Sequence, residues 1–134
     1  MNYVEKYLYD YKANVAELQA LREELNDLVS LHGQSYESFN PSGEADPVAN
    51  TVNRKIKLEK KIAVVEKRVK PVMRLIEDLK GSSLRAKQMS EILRLKYIEH
   101  EDRDVVKKTV AISDMTLWRR SRELISLAVR YFVF

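Results

Sequence analysis

Apolar residues recur over the first thirty positions in a four-three alternation: Val4, Leu8, Tyr11, Val15, Leu18, Leu25 and Val29. Arg22 interrupts this seam and Leu21 and Leu28 widen it on one flank. Heptad spacing sustained this long predicts one helix, from Asn2 to His32, that meets another helix along a stripe. Gly33 is the expected terminator. Residues 33–46 hold two of the three glycines and the first proline, and read as a polar loop. Asp46 is placed to cap a second helix and Pro47 to open it. That helix carries Leu58, Ile62, Val65, Val69, Val72, Ile76 and Leu79 in unbroken alternation, with Val48, Val52 and Ile56 off the register. Pro71 lies inside the pattern and removes a backbone hydrogen bond, at a cost of about 3 kcal/mol in a continuous helix. A kink or break is therefore expected near Lys70.

Gly81-Ser82-Ser83 closes the second helix and supplies a cap for a third, from Leu84 to Tyr97, with Leu84, Met89, Ile92, Leu93 and Leu95 as its apolar residues. Ile98 to Glu101 reads as a turn. A short helix over residues 102–110, a joint at Ala111-Ile112-Ser113 and a final helix from Asp114 complete the chain. The expected fold is all-α. Residues 1–80 form a long antiparallel, coiled-coil-like hairpin suited to self-association, and residues 81–134 a small helix-turn-helix module. Val106, Val110 and Ile112 would form the inner corner of that module, against which Leu117, Leu124 and Ala128 seat the last helix.

Composition narrows the chemistry. Six glycines and prolines in 134 residues leave little room for tight hairpins. The absence of cysteine excludes disulfides, thiolate zinc sites and a thiol nucleophile. His32 and His100 are far apart, His100 sits between two glutamates on a turn whose neighbours point apart, and the three glycines are isolated. No metal, no cofactor and no catalytic constellation is expected, so the chain does not read as an enzyme. Met1 to Asp10 lacks an apolar signal core, and the stretch from Leu124 to Phe134 is too short and too interrupted for a membrane helix. A cytoplasmic protein with no membrane partner is the expectation.

The net charge of +4 conceals a partition. Residues 1–50 hold three Lys and Arg against nine Asp and Glu, residues 51–83 ten against four, and residues 84–134 eleven against seven. An acidic front and two basic segments imply either surfaces for different partners, one of them a polyanion, or helices that pair by charge. Tyr3, Tyr7 and Tyr11 lie four apart in the acidic segment and read as a packing stripe rather than a base-stacking platform. The tail from Val129 to Phe134 is too apolar to stand free. It is expected to pack back on the helices or to form a dimer contact, the other candidate surface for a homodimer being the N-terminal helices.

With Leu117 inward, the last helix turns Met115, Trp118, Arg119 and Arg122 outward, with Asp114 and Thr116 at its start. Arginines on the exposed face of a capped helix suit the major groove, where they take guanine bidentately or bind phosphate. Ser113 and the helix N-terminus suit a phosphate, and Lys107 and Lys108 lie within reach of the flanking backbone. Double-stranded DNA is the partner this pattern fits. A solvated arginine pair, or Trp118 as the anchor of a protein interface, is the alternative.

The runs Ile92-Leu93-Arg94-Leu95-Lys96-Tyr97-Ile98, Val105-Val106 and Ile112-Ser113-Asp114-Met115-Thr116-Leu117-Trp118-Arg119-Arg120 resemble a sigma-factor region-4 helix-turn-helix. With two long helices and the Asp46-Pro47-Val48-Ala49-Asn50 entry before them, the chain resembles phage late-transcription regulators of the ArpU/RinA type. The resemblance implies a phage or prophage activator at a late-gene promoter, with RNA polymerase as a further partner, and puts Ser113, Thr116, Trp118 and Arg119 on the cap and exposed face of the recognition helix. Two positions depart from that pattern: Lys107 stands where a small alanine is usual, and Ala111 where a glycine is. A DNA-packaging protein of the terminase small-subunit kind and a pure coiled-coil interaction protein are the alternatives.

Overall fold

The computed structural model describes residues 2–34, 47–81 and 83–132. Among them are six α-helices, one π-helical turn and no strand, so the protein is all-α. In chain order these are α1 (Tyr3–Tyr9), α2 (Tyr11–Gln34), α3 (Pro47–Asp78), α4 (Leu84–Ile92), the π turn (Leu93–Ile98), α5 (Arg103–Val110) and α6 (Asp114–Tyr131). Beyond Gly33 and Gln34, which end α2, the loop expected at 33–46 and its Asp46 cap lie outside the described residues. No helix among those described is long and apolar enough to cross a membrane.

The helix expected to run unbroken from Asn2 divides at Asp10. Asn2 caps α1, its Oδ1 accepting from the Val4 amide at 2.9 Å. At the other end His100 Nε2 donates to the Tyr9 carbonyl at 2.7 Å, an acceptor that a continuous helix would keep for its own backbone. The seam on α2 also differs from the expected one. Asn14, Leu18 and Leu28 are buried and Leu21 and Leu25 half-buried, whereas Val29 is 48% exposed. The stripe thus runs through Leu21, and Arg22, which seemed to interrupt it, points outward to Glu66 on α3 at 2.8 Å.

The α3 helix begins at Pro47 as expected and buries Leu58, Val65, Val69, Val72 and Leu75, with Leu79 buried just past its end, while the off-register Val52 and Ile56 are exposed. The break expected near Lys70 is absent. Pro71 is itself buried, as are Val69, Val72 and Leu75 on the same helix, so burial offsets the hydrogen bond it cannot make.

The chain forms two compact units, Met1–Asn14 with Lys67–Phe134, and Val15–Glu66. The first contains the main core. Val4 and Leu8 of α1, Val72 and Leu75 of α3 and Leu79 just after it join the same cluster as Met89, Ile92, Val106, Leu117, Leu124, Ala128 and Phe132. Ser83 caps α4, its Oγ accepting from the Ala86 amide at 3.0 Å, but Leu84 is 72% exposed and takes no part in the core. The third helix leaves α geometry after Ile92. Leu93, Leu95 and Tyr97 are all buried, which alternate positions on a regular α-helix could not be against one neighbour. Here both α1 and α5 pack on the π turn. At the C-terminus Phe132 is 2% exposed and stacks on Tyr7 with ring centroids 5.1 Å apart, so this part of the tail packs back into its own unit.

Candidate nucleic-acid interface

Local sequence sets the geometry of α5 and α6. Asp102 caps α5, its carboxylate accepting from the Val105 amide at 3.0 Å. Ala111 ends that helix in the left-handed conformation, φ 59° and ψ 51°, and the Ile112 amide donates back to the Lys107 carbonyl at 3.2 Å. Two residues later Ser113 is extended and caps α6, its Oγ accepting from the Thr116 amide at 3.2 Å. The connection is therefore three residues, turned by one residue of positive φ. Val106 is fully buried beneath it, and Val110 and Ile112 are half-buried against the core.

The α6 helix seats Leu117, Ser121, Leu124 and Ala128 inward. Its opposite face is outward and carries Met115, 63% exposed, and Trp118, 56% exposed, with Arg119, Arg122, Ser126 and Arg130. The Arg122 guanidinium lies 4.8 Å from the Trp118 ring centroid, a cation–π contact that spreads a flat cationic surface over the helix. Arg119 and Arg130 have no ion-pair partner among the described residues. Together Trp118, Arg119, Arg122, Ser126 and Arg130 line a shallow groove of about 440 Å³. Its one acid, Glu123, is engaged by Arg120 at 3.1 Å, with Arg85 3.7 Å from its other oxygen. Arg120 also donates to Gln88 at 2.9 Å and is not available to a partner.

Beyond Trp118 lies a second, larger cleft of about 840 Å³, whose lining mixes Lys96, Arg103 and Arg122 with Glu5, Glu101 and Asp114. Balanced charge there gives a phosphate no net attraction, so the cationic side of α6 is the one carrying Arg119 and Arg130.

The sequence-predicted site residues separate into two groups. Met115, Trp118, Arg119 and Arg122 share the exposed face of α6, and Lys108 stands exposed on α5 without an ion-pair partner among the described residues. The others are turned to internal tasks. Asp114 Oδ1 receives both Lys107 Nζ and Arg103 Nη2 at 2.9 Å, clamping α5 to the start of α6. The Lys107 ammonium that donates to it, with the Arg103 guanidinium beside it, lowers the Asp114 pKa below the ordinary carboxylate value. Ser113 and Thr116 are likewise occupied by each other, the Ser113 hydroxyl donating to Thr116 Oγ1 at 3.0 Å.

Arg103 and Arg130 belong to this region and were not singled out from the sequence. Arg130 was legible, being eight residues after Arg122 and on the same helix face. Arg103 was not, because its partner lies across a joint whose geometry only the folded chain fixes. No group of acidic residues and histidines able to hold a metal ion is present among the described residues. Comparison of the chain with protein-family models, with curated proteins and with solved structures finds no match in any of the three.

Proposed function

We propose that the protein is a sequence-specific DNA-binding regulator in which α5, the Ala111–Ser113 joint and α6 act as a helix-turn-helix, with α6 as the recognition helix. The observation that carries this reading is the outward face of α6: three arginines and a tryptophan, without a free acid, on a helix held at a fixed angle by a left-handed joint and an ion-pair clamp. Arg119 and Arg122 are the base-reading candidates, Lys108 and Arg130 the phosphate contacts. Ser113 and Thr116 support the helix start, and Lys107 and Asp114 hold its orientation. The resemblance to ArpU/RinA-type regulators extends this to a phage or prophage late-gene activator, acting in the host cytoplasm with RNA polymerase as a second partner.

The test is selection of duplexes from a random pool by the purified protein, followed by titration on the selected site. Arg119→Ala or Arg122→Ala weakens the selected site by about 1–3 kcal/mol and relaxes preference at one position, whereas Lys108→Ala weakens all duplexes alike and reduces the salt slope by about 1. Unchanged affinity in both arginine variants removes α6 as the reading element.

The exposure of Met115 and Trp118 favours a second reading, in which the same face anchors a protein partner. Absence of duplex binding at low salt, where phosphate contacts are strongest, selects that reading instead.

A further inference from the structure

The unit Val15–Glu66 is poorly supplied with core. Among its described residues the buried apolar side chains are Leu18, Leu28, Leu58 and Val65, while Val29, Val52, Ile56 and Val64 are 44–51% exposed. Two helices of this size seldom bury enough to hold together alone, and a further surface is the usual remedy.

The charges of the same unit indicate what that surface is. On α2 Glu17, Glu23, Glu24 and Asp27 are exposed without an ion-pair partner among the described residues, and Gln19 lies 3.4 Å from Glu23. Glu23 and Asp27 are four apart on one face, where like charges repel. Arg22, the cation next to Glu23 in the chain, is committed to Glu66. On α3 Arg54, Lys57, Lys60 and Lys61 are exposed with no ion-pair partner among the described residues, Lys55 alone having Glu59 at 3.9 Å. One unit thus presents an acidic helix face and a basic helix face, each repelling itself, with Ile56 and Val64 exposed beside Lys57, Lys60 and Lys61 on the basic one.

We propose that the occupant of these faces is a second copy of the chain, α2 of each copy lying against α3 of the other in a four-helix arrangement. A two-fold pairing makes the acid–base contact twice and covers Ile56 and Val64. The proposal is independent of the reading of α6, and polyanion binding by the basic face is its rival.

The test measures the mass of the full chain in solution for the wild type and for two charge-reversed forms, Glu23→Lys/Asp27→Lys and Lys57→Glu/Lys60→Glu. The wild type is expected at twice the monomer mass, with a melting temperature that rises with concentration. Each reversed form alone dissociates at roughly tenfold or more higher concentration than the wild type. An equimolar mixture of the two recovers the dimer, because its acid and base faces complement again at both contacts. All substituted residues are exposed, and unchanged helix content by circular dichroism shows that each form is folded. A monomeric wild type overturns the proposal, as do reversed forms that keep the wild-type mass or a mixture that does not recover it. Loss of duplex binding in Lys57→Glu/Lys60→Glu with mass unchanged assigns the basic face to nucleic acid instead.

Discussion

Ala111 holds a left-handed backbone, φ 59° and ψ 51°, where its Cβ crowds the following carbonyl. Glycine relieves that crowding but gives the unfolded chain more freedom, so the two effects partly cancel. Ala111→Gly is expected to stabilise the protein by about 0.5 kcal/mol, and Ala111→Val, with a branched side chain in the same conformation, to destabilise it by about 1–2 kcal/mol. Urea denaturation read by circular dichroism separates the two. An equal loss in both would mean that the joint does not need positive φ. Three residues further on, Asp114 is fully exposed, and its contribution is a matter of sign rather than size. Its folded-state pKa is depressed by Lys107 and Arg103, so its stabilisation is present above the ordinary value of 3.8 and is lost as pH falls through the lower folded value. Asp114→Asn should therefore lower the melting temperature at neutral pH, converge with the wild type in acid, and lose most of its effect in molar salt. A difference that persists in high salt would point to packing instead of charge.

Among the elements, α2 tests how the buried stripe is chosen. Val15, Leu18, Leu21, Leu25, Leu28 and Val29 offer two overlapping heptad tracks of nearly equal hydrophobicity, and the four-three spacing favours the one through Val15 and Val29. The folded chain takes the track through Leu21 and Leu28 and admits the polar Asn14, 7% exposed, at its start. Leu28→Ala is expected to cost about 2–3 kcal/mol and Val29→Ala under about 0.5 kcal/mol in the same chemical denaturation; the reverse order would restore the other track. The elements whose signals are local were legible. Ser83 and Ser113 cap the helices they precede, and the three-residue joint falls where its apolar corner requires. What could not be read is whatever depends on a distant partner. The end of α1 takes its hydrogen bond from His100, ninety-one residues away. The continuity of α3 through Pro71 depends on the core around it, and the π turn on having α1 and α5 both packed upon it. The candidate site divides the same way: the exposed face of α6 follows from helical period once Leu117 is buried, whereas the diversion of Lys107 and Asp114 into a clamp is a tertiary event.

At the scale of the whole molecule, the unit of Met1–Asn14 and Lys67–Phe134 is held by tyrosines as well as aliphatic residues, and this gives the fold an alkaline limit. Tyr97 is 1% exposed, and burial, with Glu5 and Tyr9 nearby, pushes its phenol well above the ordinary value of 10.0. Tyr131 donates to the Asp78 carboxylate, which ties the end of α6 to the end of α3 and raises the phenol to about 12. Burial also raises Tyr9, where Glu5 contributes, and Tyr11. In each case the neutral form is favoured in the native state. The unfolded chain loses these protons near pH 10, so the stabilisation is complete below that pH and drains away as pH climbs through the folded values. Stability should accordingly be flat towards pH 9 and fall steeply between about pH 10 and 12. The expected record is a cooperative loss of helical circular dichroism coinciding with a tyrosinate absorbance step at 295 nm, delayed relative to free tyrosine by about one to two pH units. Tyr131→Phe removes the tie to Asp78 and one raised phenol together. It lowers stability at pH 7 and makes the alkaline fall shallower, since one fewer proton is released on unfolding. Tyr97→Phe keeps the buried ring and removes only its ionisable group, so it should leave neutral-pH stability within about 1 kcal/mol while moving the alkaline midpoint upward. A midpoint indifferent to both substitutions would show that deprotonation elsewhere sets the limit.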